Sequence, residues 1–403
     1  MDSNSAVIWT RTSDPTSNGV GTTDTAATGQ AATITGSIYS DVSLSSLVAT
    51  VHGTTGSSTD FTYKTVVSGL NPGTTYYYRF TNDTSGAPSN VGTFKTAPAA
   101  NVAAPVHFGF SGDVDGLMRP YISLGNVTAG GAPTITGQKF DFYVNLGDTI
   151  YETASTGSAA AAATVNPSTA TTDGLITSGA TQAQLLTDYH RKYKEQFLPV
   201  NSGGQKAMLD FYAAQGNYTL LDNHELGNRQ YINGGAPAGP AIGGMPSGGG
   251  VDARSGAGND HNTSGAFMNK SMGFQAVQQA YLDYQPMRDR GVLNTPSDLN
   301  SNGTKQTYFA QQWGKNALFV NVDDRSYRDI RLKTNAGADD NGPRADNAAR
   351  TMLGTTQLAW LKQTLLDAQN AGTPWKFVAV SSPIDQIGPI GGALPGVAVG
   401  SDG

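Results

Sequence analysis

The hydrophobic pattern of the chain changes near residue 105, and this change constrains the fold more than any other feature. Before it, apolar and polar residues alternate with a period of two in short stretches separated by turn residues, which is typical of an antiparallel sandwich. After it, short apolar runs alternate with amphipathic stretches of helical spacing, which is typical of α/β architecture. At 403 residues the chain is also longer than one hydrophobic core usually supports. The sequence therefore predicts an α+β protein with more than one domain.

The first hundred residues contain six candidate strands. They are 6–12, 32–39, 47–52, 61–69, 75–82 and 91–96. The segment from Gly69 to Phe80 resembles the approach to strand F of fibronectin type III domains, because a Leu-Asn-Pro-Gly turn precedes alternating aromatic residues. A complete sandwich of that type usually has seven strands, so the opening strand is expected to be missing.

The remainder of the chain contains candidate buried strands and candidate helices. The strands are 106–110, 140–146, 218–221, 317–322 and 376–380, and the helices are 182–197, 273–288 and 355–370. Two stretches rich in glycine and small residues, 153–180 and 234–265, are expected to be surface insertions. We predict a sandwich domain over 1–97, a linker over 98–104 and a larger α/β domain with mixed sheets over 105–403.

Composition excludes several kinds of site and partner. The chain has no cysteine, so any metal must be bound by Asp, Asn, Glu, His or Tyr. Its formal net charge is −6, whereas nucleic-acid-binding proteins usually have an excess of basic residues, so no stable nucleic-acid complex is expected. No apolar run approaches the roughly 20 residues that cross a bilayer, so no transmembrane segment is expected.

Side chains whose oxygen or nitrogen atoms can bind a metal follow three of the candidate strands. Asp113 comes after the first, Asp148 after the second, and Asn223 with His224 after the third. The carboxyl ends of neighbouring strands in an open α/β sheet open onto one crevice, so these side chains are expected to meet there. An amide beside an imidazole suits one metal ligand and one general acid. Taken alone, Asp113 is equally typical of a helix-capping turn, and His224 of a hydrogen-bonded core histidine.

The order of these clusters resembles the first three motifs of calcineurin-like metallophosphoesterases. The wider sequence is similar to the PhoD-type branch of alkaline phosphatases and phosphodiesterases. The residues that carry this resemblance are GDTIYE at 147–152, DNHE at 222–225, VDDRSYR at 322–328, WKFV at 375–378 and SAVIWTRT at 5–12. The resemblance implies a metallophosphoesterase-like catalytic domain over 105–403 that hydrolyses phosphate esters.

The resemblance also implies a set of metal ligands. Asp148 is expected to bridge two metals, Asn223 to bind the second, and Tyr151 to bind iron as a phenolate. This branch commonly has a cysteine after the first strand, so either Asp113 replaces it or the first metal is held differently. Fe(III) and Ca²⁺ are the metals that the resemblance favours, with Mn²⁺ or Mg²⁺ as alternatives because a carboxylate makes the site harder.

Two further side chains receive roles by the same resemblance. His224 is expected to protonate the leaving alkoxide, with Glu225 or Asp222 as the carboxylate that orients the imidazole. Arg325 is expected to bind phosphate oxygens. Its alternative interpretation is a structural ion pair with one of the two aspartates that precede it.

The resemblance leaves the substrate open between phosphate monoesters and diesters, either small molecules or polymers, and implies an exported protein, periplasmic or extracellular. The family supplies further metal ligands near its C-terminus, yet no histidine follows His261. We therefore expect a fragment trimmed at both ends that binds metal poorly and hydrolyses slowly. Two alternatives remain, a Ca²⁺-binding adhesion or glycan-binding protein and a family member that has lost catalysis.

Overall fold

The structure, a computed structural model, describes residues 1–13, 29–114, 134–135, 138–150, 182–197, 207–226, 268–270, 272–329 and 350–382. The expected insertions at 153–180 and 234–265 lie wholly outside these residues. A region of strands is followed by a region of strands and helices. The general expectation of an α+β fold with mixed sheets is therefore confirmed.

The first region contains two antiparallel sheets. One sheet pairs β1 (Ser5–Arg11) with β4 (Thr62–Ser68). The other consists of β2 (Ala32–Tyr39), β3 (Leu47–Thr55), β5 (Thr75–Asn82) and β6 (Gly92–Lys95), in the order β3–β2–β5–β6. The strands expected in this part of the sequence are thus confirmed, with small differences at their ends.

Alternate residues of these strands point into one apolar core. Ile34 and Ile38 of β2 and Phe80 of β5 are each at most 3% exposed. Because successive side chains of a strand point to opposite faces, the period-two pattern of the sequence becomes one buried face and one partly exposed face. The Asn71 backbone N–H donates a hydrogen bond of 2.8 Å to the hydroxyl of Tyr76, which fastens the turn that leads into β5.

The second region contains two three-stranded sheets. The first consists of β7 (Phe108–Ser111), β10 (Phe142–Asn145) and β11 (Gly216–Thr219), all parallel, with β10 in the centre. In the second sheet, β12 (Phe309–Trp313) is antiparallel to β13 (Ala317–Asn321), which is parallel to β14 (Trp375–Ala379). A short hairpin pairs β8 (Thr134–Ile135) with β9 (Gln138–Lys139).

Four α-helices accompany these sheets in the described part of the chain. They are α1 (Gln182–Phe197), α2 (Ala207–Ala213), α3 (Met272–Tyr284) and α4 (Gly354–Asn370). The three expected helices are confirmed, whereas α2 and β12 were not expected, because α2 is short and the middle of β12 reads Ala-Gln-Gln. None of the described helices has the length and apolar character that crossing a membrane requires.

Aromatic side chains fill the space between the two sheets of the second region. The ring centroids of Phe142 and Phe319 lie 4.7 Å apart, with the rings edge to face. Phe108 contacts Phe377 in the same manner at 5.1 Å. Edge-to-face pairs are a favourable arrangement of aromatic rings and add to the gain from burial. These contacts fix the parallel sheet, and with it the positions at which β7, β10 and β11 end.

Polar contacts join the sandwich to the helices of the second region. The carboxylate of Asp60 lies 3.2 Å from the ammonium group of Lys194 in α1 and accepts a hydrogen bond from the hydroxyl of Tyr284 in α3. The ammonium group of Lys64 in β4 donates to the carbonyl of Leu282. Both α1 and α3 are therefore anchored to the sandwich.

Candidate active site

The three parallel strands end side by side and bring their following turns together. Ser111, Asn145 and Thr219 are in register at the ends of β7, β10 and β11. Beyond the first two strands, the Asp113 N–H donates to the Gly147 carbonyl at 3.2 Å. These contacts bring the residues that follow the strands together at one end of the sheet, where parallel topology places a crevice.

A third turn closes on the second through Asp148. The backbone N–H of His224 donates to Oδ1 of Asp148 at 3.1 Å, and Nε2 of His224 lies 3.9 Å from Oδ2. His224 is fully buried, and Asp148 is 5% exposed. Asn223 is partly buried beside them, while Asp113 is exposed. The structure thus brings four of the predicted site residues to one end of the sheet, and Tyr151 lies outside the described residues.

Both aspartates of the first two turns have left-handed backbone conformations. The φ angle is 56° at Asp113 and 51° at Asp148. Residues other than glycine adopt this region at a cost of about 1–2 kcal/mol, and they persist there only where the surroundings hold them. Gly147 has a φ of 104°, and a Cβ added to it would lie 2.5 Å from the Cβ of Asp222. The second turn is therefore packed tightly against the residue that ends the third strand.

Glu225 holds these turns in place from the inside of the protein. Its carboxylate is fully buried and accepts hydrogen bonds from the backbone N–H groups of Asp148 at 3.0 Å, of Asp222 at 2.9 Å, and of Thr149. The hydroxyl of Thr149 adds a further bond at 2.6 Å. Hydrogen bonds to an ionised acceptor are among the strongest in proteins. In the described contacts Glu225 therefore fixes two turns, and it is not the partner of the His224 ring.

Arg325 is held at the crevice by Asp222. Its Nε lies 2.5 Å from Oδ1 of Asp222, and both side chains are largely buried. Asp323 accepts the backbone N–H of Arg325 at 2.9 Å rather than its guanidinium, and Asp324 accepts from Ser381 at 2.7 Å. The partner of this arginine is thus Asp222 rather than either of the aspartates just before it. Asp222 is accordingly occupied by Arg325, so no described contact makes it the orienter of His224.

Burial and mutual repulsion raise the pKa values of the acidic side chains in this cluster. Burial, reinforced by the charges of Glu225 and Asp222, raises the pKa of Asp148 to about 8. Burial also raises the pKa of Asp222 to about 6, although the charge and hydrogen bond of Arg325 oppose the shift. For Glu225 burial raises the pKa, while hydrogen bonds from Thr149 and Asp222 oppose that change. A cation close to these groups would relieve this excess of buried acid.

The chemistry of the donor set fits a hard cation. Carboxylates, an amide oxygen and an imidazole nitrogen are ligands that Ca²⁺, Mn²⁺ and iron accept in different proportions. Asp148 and Asn223 carry such oxygen atoms and lie in two adjoining turns. However, no group of three His, Asp or Glu side chains in the described ranges is arranged closely enough to hold an ion.

Comparison with known proteins identifies relatives of this chain. Residues 1–98 match the sequence profile of the PhoD-like phosphatase N-terminal domain, and residues 130–394 match that of PhoD-like phosphatase. Alkaline phosphatase D of Bacillus subtilis (strain 168) is 25% identical over 395 residues, which cover 95% of this chain and 56% of that protein. The solved structure of PhoD aligns with a TM-score of 0.61 at 23% identity, over 94% of this chain and 59% of that one.

The chain thus spans less than two thirds of the length of both relatives. The longer of the two profile matches alone covers more than half of the 403 residues, and it contains Asp148, His224 and Arg325. The match of the other profile covers the sandwich. The chain belongs to the PhoD-like phosphatase family.

Proposed function

We propose that this chain carries the strand-end part of a phosphate-ester hydrolase site. The observation that carries the proposal is the convergence of the three turns, with Asp148 bonded to the backbone of His224 and Arg325 held beside them by Asp222. Family membership supports phosphoester hydrolysis as the reaction. In this proposal a metallophosphoesterase-like domain over 105–403 follows a linker over 98–104 and a fibronectin type III-like sandwich over 1–97.

The residues proposed to hold metal ions are Asp113, Asp148, Tyr151 and Asn223. Fe(III) with Ca²⁺ is the proposed pair, and Mn²⁺ or Mg²⁺ is the alternative that an all-oxygen set would favour. When bound, such ions would act as Lewis acids toward the phosphoryl group. The left-handed turns at Asp113 and Asp148 support this assignment, because strained backbone that the surroundings enforce is concentrated at functional sites.

His224 is proposed to donate the proton that the leaving alcohol requires. Its backbone is fixed by the bond to Asp148, and its ring is enclosed by protein. A general acid must lie within hydrogen-bond reach of the departing oxygen. His224 lies at the end of the parallel sheet, which is where such topology places a ligand-binding crevice.

Arg325 is proposed to bind phosphoryl oxygens. A guanidinium matches the geometry of phosphate with two parallel hydrogen bonds, which a lysine does not reproduce. The ion pair of 2.5 Å with Asp222 would orient the guanidinium before substrate arrives. The proposed substrates are phosphate monoesters or diesters, small or polymeric, in the periplasm or outside the cell.

Hydrolysis of p-nitrophenyl phosphate and of its bis ester, measured with added Fe(III), Ca²⁺, Mn²⁺ or Mg²⁺, tests the proposal. We expect slow, metal-dependent hydrolysis, and a loss of at least about a hundredfold in His224→Ala, the usual scale of general-acid catalysis. His52→Ala, on the exposed face of the sandwich, is the matched control and should retain the wild-type rate. Hydrolysis that is unaffected by His224→Ala would refute the proposed site.

Metal analysis of the purified protein separates the remaining candidates. Two ions per chain that include iron support a hydrolase, whereas calcium alone with no His224-dependent hydrolysis would favour an adhesion or glycan-binding protein, because calcium takes oxygen ligands. Metal binding without any hydrolysis would favour a family member that has lost catalysis. Full-rate hydrolysis by this chain would contradict the expectation of slow catalysis.

A further inference from the structure

The segment 322–329, which carries Arg325, is folded around the side chain of Asp323. The Asp323 carboxylate accepts the backbone N–H of Arg325 at 2.9 Å and that of Ser326 at 2.7 Å, and it also accepts the hydroxyl of Thr307. Such bonds from a carboxylate to the next backbone N–H groups define a tight turn. The direction in which the chain presents Arg325 therefore depends on where Asp323 is held.

Gln357 of α4 holds Asp323 by both of its main-chain groups. Oε1 of Gln357 accepts the Asp323 N–H at 2.8 Å, and Nε2 donates to the Asp323 carbonyl at 2.8 Å. Nε2 also donates to the carbonyl of Leu353 at 3.1 Å. The side chain of Gln357 is fully buried. One amide thus pairs with the main chain of one residue as a neighbouring strand would, just after β13 has ended at Asn321.

The start of α4 is itself fixed, which makes Gln357 a firm support. Oδ2 of Asp298 accepts the N–H of Thr356 at 2.8 Å and the hydroxyl of Ser301 at 2.8 Å. Gly354 begins the helix with a φ of 72°, and a Cβ added there would lie 3.1 Å from the Ser301 hydroxyl oxygen. The first turn of α4 therefore has little room to shift relative to the segment that it supports.

We infer that Gln357 is a positioning residue for Arg325, and that it sets the affinity of the crevice for phosphoryl oxyanions. The contacts form one series, from the Gln357 amide to the Asp323 main chain, from the Asp323 carboxylate to the Arg325 main chain, and from Arg325 Nε to Asp222. A guanidinium that must meet two phosphate oxygens at once is sensitive to small displacements of its backbone. This inference rests on the proposed function, because it takes phosphate as the ligand of Arg325.

The test measures inorganic phosphate as an inhibitor and p-nitrophenyl phosphate as a substrate. Gln357→Met keeps the volume of the side chain and removes its hydrogen bonds. We expect the Ki of phosphate and the KM of the substrate to rise about tenfold, equivalent to about 1.4 kcal/mol, with kcat changed by less than about threefold. Gln357→Glu keeps an acceptor for the Asp323 N–H and loses the donor, so a smaller rise in Ki and KM is expected. This variant replaces Gln357→Met in the test if Gln357→Met does not fold.

Gln363→Met supplies the matched control, because Gln363 lies on the exposed face of the same helix. A double-mutant cycle with Arg325→Ala tests whether Gln357 acts through the arginine. In the Arg325→Ala background, Gln357→Met should change the phosphate Ki by less than about twofold. A role limited to stability would instead lower Tm and leave both Ki and KM unchanged.

The inference and the proposed function fail in different ways. Hydrolysis that depends on His224, together with a wild-type phosphate Ki in a folded Gln357→Met variant, would overturn the inference alone. The same tenfold rise in both arginine backgrounds would also overturn it, since Gln357 would then act by another route. Hydrolysis that is independent of His224 would refute the proposed site. In that case the rise in Tm that added inorganic phosphate causes, compared between the wild type and Gln357→Met, would still test the role of Gln357.

Discussion

In the sandwich, Ile34, Ile38 and Phe80 are buried among other apolar side chains, whereas at the crevice the buried groups include Asp148 and Glu225. The two regions are equally closed to solvent, but they are stabilised differently. An apolar core tolerates small changes of shape, because burial is not directional. Buried carboxylates depend on particular N–H and O–H donors, and each one left without its donors costs much more. The crevice should therefore respond to conservative substitutions that the sandwich accepts.

The largest expected effect is that of Glu225→Gln. The amide replaces one acceptor oxygen with an NH₂ group that faces the N–H donors of Asp148, Thr149 and Asp222. Breaking a buried charged network of this kind costs about 3–5 kcal/mol. Chemical denaturation should report this loss in the free energy of unfolding, with the proposed hydrolysis abolished.

Asp83→Asn makes the same chemical change at an exposed position of the sandwich, and it should change the free energy of unfolding by less than about 0.5 kcal/mol. Equal effects of the two substitutions would mean that the contrast between the two regions is wrong. A stable Glu225→Gln variant that still hydrolyses substrate would show that the Glu225 carboxylate is not needed to hold the turns of the site.

An intermediate effect is expected of Gly147→Ala. The new methyl group would lie 2.5 Å from the Cβ of Asp222 and 2.9 Å from its backbone nitrogen, in a residue whose φ is 104°. Steric overlap and backbone strain together should cost about 2–3 kcal/mol and displace Asp148. Thermal unfolding and hydrolysis should both decline.

Gly69→Ala in the sandwich separates the two contributions. Gly69 has a φ of 78°, and an added Cβ would meet no atom within 4 Å. This variant carries the strain without the overlap, so it should cost about 1 kcal/mol and leave hydrolysis unchanged. If both variants lose equal stability, the close approach of Gly147 to Asp222 contributes nothing measurable.

The smallest expected effect concerns the contact between the two regions. Burial lowers the pKa of Lys64 from 10.5 to about 8, although Asp283 opposes the shift. Between pH 8 and about 10.5 the unfolded chain therefore keeps this proton while the folded chain loses it. The free energy of unfolding consequently increases with pH over this range. Below pH 8 the cost of the buried charge is fully present.

Lys64→Met removes this titration. Relative to the variant, the wild type should gain about 1 kcal/mol in unfolding free energy between pH 7.5 and 9.5, after allowance for partial solvent screening. Lys362→Met, on the exposed face of α4, should preserve the wild-type slope. If the free energy of unfolding changes with pH equally in the wild type and in Lys64→Met, the Lys64 ammonium group is solvated in the folded protein.

The sequence predicted the apolar framework well and the polar contacts poorly. Strands such as β2 and β5, and the helix α1, follow from the periodicity of buried residues, which is a local property of the sequence. The convergence of Asp148 and His224 followed from parallel topology, which places strand ends along one edge. Both rest on rules that depend on residue type and spacing alone.

The hydrogen-bond and ion-pair partners of the charged residues could not be predicted from residue type and spacing. Arg325 pairs with Asp222, a hundred residues earlier in the chain, although two acidic residues immediately precede it. Glu225 follows His224 directly, yet its carboxylate points to the backbone of the preceding turns. Gln357 carries no sequence signal, since a glutamine within a helix is usually exposed. Such pairings depend on three-dimensional packing, which spacing does not encode.

The left-handed turns at Asp113 and Asp148 limit how the family can vary at these positions. Asparagine and glycine enter that backbone region most readily, so they are the replacements that leave the turns intact. A glutamate or a cysteine would bring a different side-chain donor, but it would also add backbone strain to the turn. A change in the proposed metal preference at these two positions would therefore be expected to need a change in the path of the turn as well.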